Sequence, residues 1–337
     1  MRALIIGQGR ISAAIRYYVR VFLRGVSVSY FSGPKDIARA DLLIGTLPGG
    51  LGEQSLELAL KYKKDLVDLA DLDTDFYPKR RKQIERAGIT VVPACGFCPG
   101  LVNFIIGNEA ARLRDISNIE VMAGSLSPRR YYFPFLWCFE DLVLEFMVAS
   151  RQMVEGGKKT FPPFGGYRNE KFFGIDAESY LGQSGFENLT VSLGTPTFTY
   201  RNIRPAGFMQ FFRFLHNHGL FDKKNVLKTK RLLEGRREDN LSLAIIRLCS
   251  PGGNREWVLK SLSRKRERFN SMQKITALFT TGIIGAFGAG RIRDNGLVFC
   301  QTLGSDDGFF HDILTGLKKN GICIKKRNMR ENEKKSV

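Results

Sequence analysis

Apolar runs alternate with amphipathic stretches over the first third of the chain, a pattern typical of strands that alternate with helices. Strands are predicted at residues 2–6, 26–31, 40–45, 65–70 and 89–93. Helices are predicted at residues 13–19, 53–62 and 77–87, and the stretch between the second and third strands is too short for a full helix. Because helical crossovers link the strands, the pattern predicts an α/β domain with a doubly wound parallel sheet.

The pattern changes near residue 118, where strands follow one another with few helices between them. These strands are predicted at residues 118–125, 186–193, 196–203 and 241–248, and one helix is predicted at 206–216. They indicate an α+β domain with a mostly antiparallel sheet. Helical periodicity returns at residue 271. The predicted domains are therefore 1–117, 118–270, and C-terminal helices at 271–325 that return to the first domain, followed by a basic, disordered tail at 326–337.

A glycine-rich turn directly follows the first predicted strand. Gly7 and Gly9 have the spacing of a dinucleotide-binding turn, and the small residue Ser12 stands where a third glycine is usual. In a Rossmann-type domain such a turn lets backbone N–H groups approach a pyrophosphate, and ligands bind beyond the carboxyl ends of the strands. The cofactor-binding residues predicted on this basis are Gly7, Gly9, Arg10, Ile11, Ser12, Ser32, Thr46, Leu47, Pro48, Asp68, Leu69 and Ala70.

The end of the second strand bears on the choice between NAD and NADP. An acidic residue there usually binds the ribose 2′-OH of NAD, and this chain has none before Asp36. Ser32 and Lys35, with Arg10 from the glycine turn, offer donors for a 2′-phosphate instead. The sequence therefore favours NADP over NAD.

Composition narrows the class of protein. The 337 residues carry a formal net charge of +19 and are 43% hydrophobic, enough for two full cores. The six scattered cysteines fit reduced thiols in the cytoplasm. Cys95 and Cys98 have C-x-x-C spacing, which leaves a redox dithiol open. A second such pair is absent from the sequence, so no metal site is expected.

The remaining features concern membranes and nucleic acids. No secretory leader is expected at the start, and the longest apolar stretch, 275–289, is too short and too rich in glycine to span a bilayer. The basic residues are interpreted as solvated faces or as a source of attraction for anionic substrates. A nucleic-acid-binding role is the alternative interpretation of the same charge.

Several motifs resemble the saccharopine dehydrogenase-like family, which includes saccharopine reductases, lysine 6-dehydrogenases and carboxynorspermidine dehydrogenases. The most specific is the sequence Gly-Phe-Cys-Pro-Gly-Leu-Val-Asn at residues 96–103, close to the family's Gly-Phe-Asp-Pro-Gly-Leu-x-Asn. Similar segments follow in the family's order at 199–207, 214–215, 219–222, 271–276 and 321–322. The resemblance implies NAD(P)-linked oxidation or reduction at a carbon–nitrogen bond of an amino acid or polyamine. Many relatives carry an acid at the position of Cys98. This difference weakens any inference of a specific substrate from the resemblance.

The candidate catalytic residues are Cys98 and Glu145. With Pro99 as the first helical residue, Cys98 would be a helix N-cap, where a thiolate that relays a proton is favoured; a small polar cap is the alternative. Glu145 falls where the resemblance places an acidic residue. It is one of three carboxylates, with Asp68 and Asp141, that are candidates to remove the ammonium proton, although each has the alternative of a salt bridge.

The candidate substrate-binding residues are Asn103 and Arg204. Arg204 lies in a predicted strand-to-helix turn that the resemblance places beside the active site, where a guanidinium can clamp a carboxylate; the alternative is a surface arginine. Asn103 either hydrogen-bonds substrate or packs at the domain junction. We expect a small-molecule substrate and a homodimer. A non-catalytic dinucleotide-binding sensor or scaffold is the alternative to an enzyme.

Overall fold

The computed structural model describes residues 1–70, 72–73, 75–128, 138–183, 189, 192–234 and 238–329 of the chain. The chain divides into two compact units. The first consists of Met1–Arg112, Gly185–Ser192 and Gln273–Asn320, and the second of Leu113–Ser184, Leu193–Met272 and Gly321–Val337. The late helices therefore belong to the same compact unit as the amino-terminal residues.

The first unit contains a parallel sheet of six strands in the described part of the chain. They are β1 (Arg2–Ile6), β2 (Ser27–Tyr30), β3 (Leu42–Gly45), β4 (Asp65–Asp68), β5 (Thr90–Val92) and β14 (Gly296–Leu297). Their order is β14-β5-β4-β3-β1-β2, so β1 lies between β2 and β3, and all five pairings are parallel. Because these strands are parallel neighbours, the carboxyl ends of β1, β2, β3 and β4 lie at the same edge of the sheet.

Helices separate the strands of this unit. They are Arg10–Phe22, Pro34–Arg39, Glu53–Tyr62, Phe76–Ala87, Leu101–Ala110, Cys300–Gly304 and Asp307–Lys319, with a 3-10 turn at Gly49–Leu51 and most of the helix Ser271–Gly288. The second helix has only six residues, as the short stretch before β3 predicted. An apolar cluster of this unit joins strand residues such as Leu4, Leu43 and Leu66 to helix residues such as Leu56 and Ile84.

The second unit contains a mixed sheet of nine described strands. They are β6 (Asn118–Leu126), β7 (Ser150–Val154), β8 (Gly157–Phe161), β9 (Arg168–Phe172), β10 (Ile175–Leu181), β11 (Thr197–Pro205), β12 (Asn240–Cys249), β13 (Asn254–Ser263) and β15 (Cys323–Met329). The main order is β15-β13-β12-β6-β11-β10-β9, with β7 on β11 and β8 on β7. β6 and β11 are parallel and the other pairs are antiparallel.

Three helices of the second unit are Phe139–Glu145, Phe208–Asn217 and Val226–Glu234. Phe139, Phe146, Phe208 and Phe212 from or beside them form an aromatic cluster with Tyr180 of β10. This cluster buries the side of the sheet on which Arg204 and Glu178 lie, and it sets the environment of those charged residues.

The predicted fold class is confirmed, with an α/β unit and a unit built on a mostly antiparallel sheet. The strand predicted at 186–193 is wrong where it can be checked, because residues 189, 192 and 193 are helical. The disorder predicted for the tail 326–337 is wrong for residues 326–329, and residues 330–337 lie outside the described part of the chain. Residues 326–329 end β15, whose apolar Ile324 pairs with Leu259 of β13 and anchors the basic residues beyond it.

Candidate functional site

The glycine turn joins β1 to the first helix as the sequence predicted. Gly7 has a φ of +117°, and a Cβ atom there would lie 2.5 Å from Thr46 Oγ1, so only glycine fits. Gly9 precedes the helix, and a Cβ atom on it would meet nothing within 4 Å. Ser12 is fully buried and donates its hydroxyl to Gly9 O at 2.6 Å. The turn therefore has no room for a side chain at Gly7, whereas the space beside Gly9 is open.

Arg10 and Ile11 open the helix that follows Gly9. The first N–H groups of a helix have no intrahelical acceptor, and they point out of its amino end. Arg10 is exposed and Ile11 is half-buried. These two residues therefore stand where the sequence placed them, at the start of the helix and next to the open side of the turn.

The segment after β3 lies beside the glycine turn. Thr46 donates both its N–H and its hydroxyl to Ile6 O, each at 2.9 Å, which ties the ends of β1 and β3 together. Leu47 packs against the apolar cluster of the first unit, while Pro48 is exposed. Leu47 is therefore partly covered by the cluster, and Pro48 is the more exposed of the two residues.

Asp68 ends β4 and is fully buried. Its carboxylate accepts hydrogen bonds from the Tyr77 hydroxyl and from Ala70 N, the latter at 3.3 Å. Burial raises the pKa of Asp68 to about 6, against the opposing effect of the hydrogen bonds from Tyr77 and Ala70. This corrects the prediction of Asp68 as a cofactor-binding or proton-removing side chain, because its carboxylate holds the loop through Leu69 and Ala70 from inside the unit.

The end of β2 differs from the sequence interpretation. Asp36, in the short helix Pro34–Arg39, turns back, and its Oδ2 accepts hydrogen bonds from Ser32 N at 2.9 Å, Ser32 Oγ at 2.7 Å and Gly33 N at 3.1 Å. The Ser32 hydroxyl therefore already has an anionic partner, which corrects the assumption that it is free for a 2′-phosphate. The hydrogen bond from Gly33 N to the Asp36 carboxylate is one half of a capping box, because glycine has no side chain to supply the other half.

The segment 96–103 corrects the prediction for Cys98. The peptide bond between Cys98 and Pro99 is cis, and the helix begins at Leu101 after Gly100, so Cys98 is not its N-cap. Gly100 has a φ of +128° and packs against Gly96, where a Cβ atom would lie 2.2 Å from Gly96 O. This close approach of backbone forces the start of the helix two residues later than the proline suggested.

Asn103 has a structural task in the same segment. It is 6% exposed, and its side-chain oxygen accepts a hydrogen bond from Gly100 N at 2.9 Å, which caps the helix. This hydrogen bond uses one of the two acceptor sites of the oxygen, and a contact of the Asn103 side chain with substrate stays a prediction.

Cys95 lies beside Cys300 of the same unit. Its Sγ lies 3.9 Å from Sγ of Cys300, and both side chains are buried, while Cys98 is half-buried. Burial, with further effects of Cys300 and Asp68, raises the pKa of the Cys95 thiol. All six cysteines are described and none forms a disulfide, and the redox dithiol of Cys95 and Cys98 stays a prediction.

Arg204 and Glu145 come together in the second unit. Arg204 Nη2 lies 3.7 Å from Glu145 Oε2, and the two side chains are 3% and 18% exposed. The guanidinium carbon lies 5.0 Å from the centre of the Phe146 ring and 5.7 Å from that of Phe208. Arg204 is thus not a surface arginine. It is held in the aromatic cluster, and Glu145 is the more accessible partner.

Glu178 is a buried residue that the sequence interpretation missed. It lies directly opposite Arg204 in the pairing of β10 with β11, and its carboxylate accepts hydrogen bonds from Gly207 N at 2.9 Å and Met209 N at 2.5 Å. Burial raises the pKa of Glu178, and these hydrogen bonds oppose the shift. The available signal for Glu178 was an acidic residue on the apolar side of a strand with alternating polarity. The sequence interpretation could not use it, because it did not predict β10.

The third candidate base, Asp141, lies in the first turn of the helix Phe139–Glu145.

Among the described residues, no three His, Cys, Asp or Glu side chains lie close enough together to hold a metal ion. Nor is any helix within the described ranges both long and apolar enough to cross a membrane.

Comparison with known proteins places the fold. No family model and no curated protein matches the sequence. Saccharopine dehydrogenase (L-Glu forming) from Saccharomyces cerevisiae is similar in structure, with a TM-score of 0.74 at 12% identity over 98% of this chain and 100% of that one. The DAP dehydrogenase of C. glutamicum has a TM-score of 0.46 at 11% identity over 94% of this chain and 98% of that one. The chain therefore has a saccharopine dehydrogenase-like fold.

Proposed function

We propose that the protein is an NAD(P)-dependent oxidoreductase that acts on a carbon–nitrogen bond of an amino acid or a polyamine-type substrate. The observation that carries the proposal is the turn Gly7–Gly9, which is closed against Thr46 on one side and open at Gly9 on the other. It lies between β1, an inner strand of the parallel sheet, and a 13-residue helix. The likeness of the fold to a saccharopine dehydrogenase supports the choice of reaction class.

The residues present fit a nicotinamide dinucleotide. The open space at Gly9 gives a pyrophosphate close access to backbone N–H groups, and the buried Ser12 lets the helix approach the strand. Thr46, Leu47 and Pro48 line the neighbouring strand end, and Leu69 and Ala70 follow the next. When bound, the dinucleotide supplies the hydride acceptor or donor of the reaction.

Glu145 is the proposed proton acceptor for a substrate ammonium, and Arg204 is proposed to position it. The guanidinium is buried beside two aromatic rings and lies 3.7 Å from the carboxylate, so it limits the side-chain rotamers of Glu145. Cys98 remains a second candidate for proton transfer, although without the helix N-cap environment that favoured its thiolate. The proposed carboxylate clamp by Arg204 requires a substrate group to reach a buried guanidinium.

Two measurements test the proposal. The full chain should bind NADH or NADPH, seen as enhanced nicotinamide fluorescence, and should reduce the oxidised coenzyme at alkaline pH with one member of a panel of lysine, saccharopine and polyamines. Binding without turnover on the whole panel would favour the non-catalytic sensor or scaffold. No binding of either coenzyme would reject the proposal. Unchanged turnover in Cys98→Ser would remove that thiol from the mechanism.

We propose further that the protein works as a homodimer in the cytoplasm, in keeping with its six free cysteines. Light scattering of the purified chain tests the dimer. Retention on DNA or RNA across a salt series tests the alternative use of the basic charge. Retention near physiological salt that persists after deletion of residues 326–337 would favour a nucleic-acid-binding role over solvated basic faces.

A further inference from the structure

We propose that the carboxylate of Asp36 occupies the place where the 2′-phosphate of NADP would bind, so that the protein prefers NAD. The inference rests on the proposed function and names the coenzyme for the same site. It reverses the preference for NADP that the sequence alone suggested, because that preference treated Ser32 as free and Asp36 as too distant.

The first step is the position of Ser32 and Gly33. β1 and β2 are parallel neighbours with Ile5 opposite Tyr30, and Phe31 N donates to Ile5 O at 2.9 Å, so pairing continues to the end of β2. Ser32 therefore comes off β2 beside the point where Gly7 comes off β1, about 5 Å away across the sheet. In a dinucleotide site of this topology, the adenosine ribose lies at this point when the pyrophosphate lies on the glycine turn.

The second step is the set of donors at this point. Ser32 N, Ser32 Oγ and Gly33 N all converge on one oxygen, Asp36 Oδ2, at 2.9, 2.7 and 3.1 Å. Three converging donors are the arrangement that holds an anion. In this chain an internal carboxylate takes that arrangement, and the second oxygen, Oδ1, accepts no hydrogen bond within the described residues. Asp36 is only partly buried, and Oδ1 is the proposed acceptor for a ribose hydroxyl.

The third step is charge. The hydrogen bonds from Ser32 lower the pKa of Asp36, so the carboxylate is ionised at neutral pH. A 2′-phosphate would meet this charge and find its donors already occupied. A ribose 2′-OH would instead find an acceptor. Lys35 and Arg10 are exposed and carry positive charge. The donors of Ser32 and Gly33 nevertheless remain bound to the Asp36 carboxylate.

The test compares the affinities of NADH and NADPH for the full chain by nicotinamide fluorescence. We expect the wild type to bind NADH more tightly by about tenfold or more, the scale of one like-charge contact. Asp36→Asn removes the charge and keeps the shape, and Asp36→Ala also frees the donors. Each should tighten NADPH binding, Asp36→Ala the more, and bring the ratio of affinities down by about tenfold.

Asp41→Asn is the matched control. Asp41 makes the same kind of paired hydrogen bonds, from Arg2 N at 2.7 Å and Arg2 Nη2 at 3.0 Å, but it precedes β3 and lies at the opposite edge of the sheet. Asp41→Asn changes the net charge by the same amount as Asp36→Asn, and it should leave the ratio of NADH affinity to NADPH affinity unchanged. NADPH binding as tight as NADH in the wild type, or an unchanged ratio in both Asp36 variants, would overturn the inference and leave the proposed function standing. Failure to bind either coenzyme would reject the proposed function, and this inference with it.

Discussion

The guanidinium of Arg204 and the carboxylate of Glu145 lie 3.7 Å apart at the edge of the aromatic cluster of the second unit. The sequence interpretation assigned one to substrate and the other to catalysis, and it drew no link between them. Their proximity makes the two roles dependent on each other, because a buried cation is costly unless an anion or hydrogen-bond acceptor lies beside it.

Glu145→Gln should therefore affect both stability and turnover. Removal of its charge leaves Arg204 buried with a neutral partner, and we expect a loss of about 1–3 kcal/mol in the free energy of unfolding, less than for a fully buried pair because Glu145 is partly exposed. If Glu145 is the proton acceptor, kcat should also fall by about a hundredfold or more and the acidic limb of its pH profile should disappear. Denaturant titration and steady-state kinetics measure the two effects.

Glu140→Gln is the control for this variant. Glu140 is in the same helix and pairs with Lys230 at 2.8 Å on the surface. Loss of such an exposed pair should cost about 0–1 kcal/mol and should not change the pH profile. Equal effects of the two substitutions on kcat would contradict a specific role for Glu145.

Gly9→Ala should weaken dinucleotide binding without destabilising the fold. Gly9 has a φ of −83°, and a methyl group there meets nothing within 4 Å, so alanine fits the protein. The same methyl group points into the space proposed for the pyrophosphate, and we expect the affinity for NADH to fall by about tenfold or more. Thermal melting without ligand and fluorescence titration with NADH separate the two effects.

Gly316→Ala provides the comparison for Gly9. Gly316 lies inside the helix Asp307–Lys319, also with open space around a Cβ atom. Alanine should stabilise this helix by about 0.5–1 kcal/mol and leave coenzyme binding as it is. A Gly9→Ala protein that binds NADH normally would count against a pyrophosphate at this turn.

Asp68 should make stability depend on pH in the mildly acidic range. Its pKa is raised to about 6 in the folded protein, above the value of about 3.9 in an unfolded chain. The folded state therefore holds the proton more tightly. The stabilising effect of that proton is fully present below about pH 4 and is lost as the pH rises through about 6, a change of about 2–3 kcal/mol.

The titration of Asp68 is isolated by comparison with Asp68→Asn. As the pH rises from about 4 to about 7, the difference in unfolding free energy should shift in favour of the asparagine variant, which does not titrate. Tyr77→Phe removes a hydroxyl that lowers the pKa of Asp68, so it should move the transition to higher pH. A difference between wild type and Asp68→Asn that is constant over this range would show that Asp68 has a normal pKa.

Glu178→Gln should loosen the start of the helix Phe208–Asn217. The carboxylate receives two backbone N–H groups, Gly207 and Met209, and an amide oxygen replaces only one of its two acceptors. We expect a loss of about 1–3 kcal/mol and faster amide exchange at residues 207–209. Glu170→Gln is a control on the neighbouring strand, where the carboxylate accepts from the Ser179 hydroxyl at 2.9 Å, and it should leave exchange at these residues unchanged.

The sequence predicted those helices, strands and turns whose pattern of residues is clear within a short segment of the chain. The helix Glu53–Tyr62 was predicted with the same bounds, and Gly7, Gly9 and Thr46 lie where the alternation of strands and helices placed them. The strands β7 to β10 were missed, because their residues are too polar or too short in alternation to mark a buried face. The start of the helix at Leu101 was missed by two residues, because the close contact between Gly96 and Gly100 leaves no periodic signal.

The sequence by itself determined the class of fold and the location of the glycine turn, since hydrophobic periodicity and glycine spacing act within a few residues. Only the tertiary structure decided which polar groups are available. It turned Asp36 onto Ser32, buried Asp68 beside Tyr77, brought Cys95 to Cys300, and set Arg204 against Glu145. The physical reason is that the free energy of a charge or hydrogen-bonding group depends on its burial and on its partners, which hydrophobic periodicity does not reveal. Two of these partners, Cys300 for Cys95 and Glu145 for Arg204, are also distant along the chain.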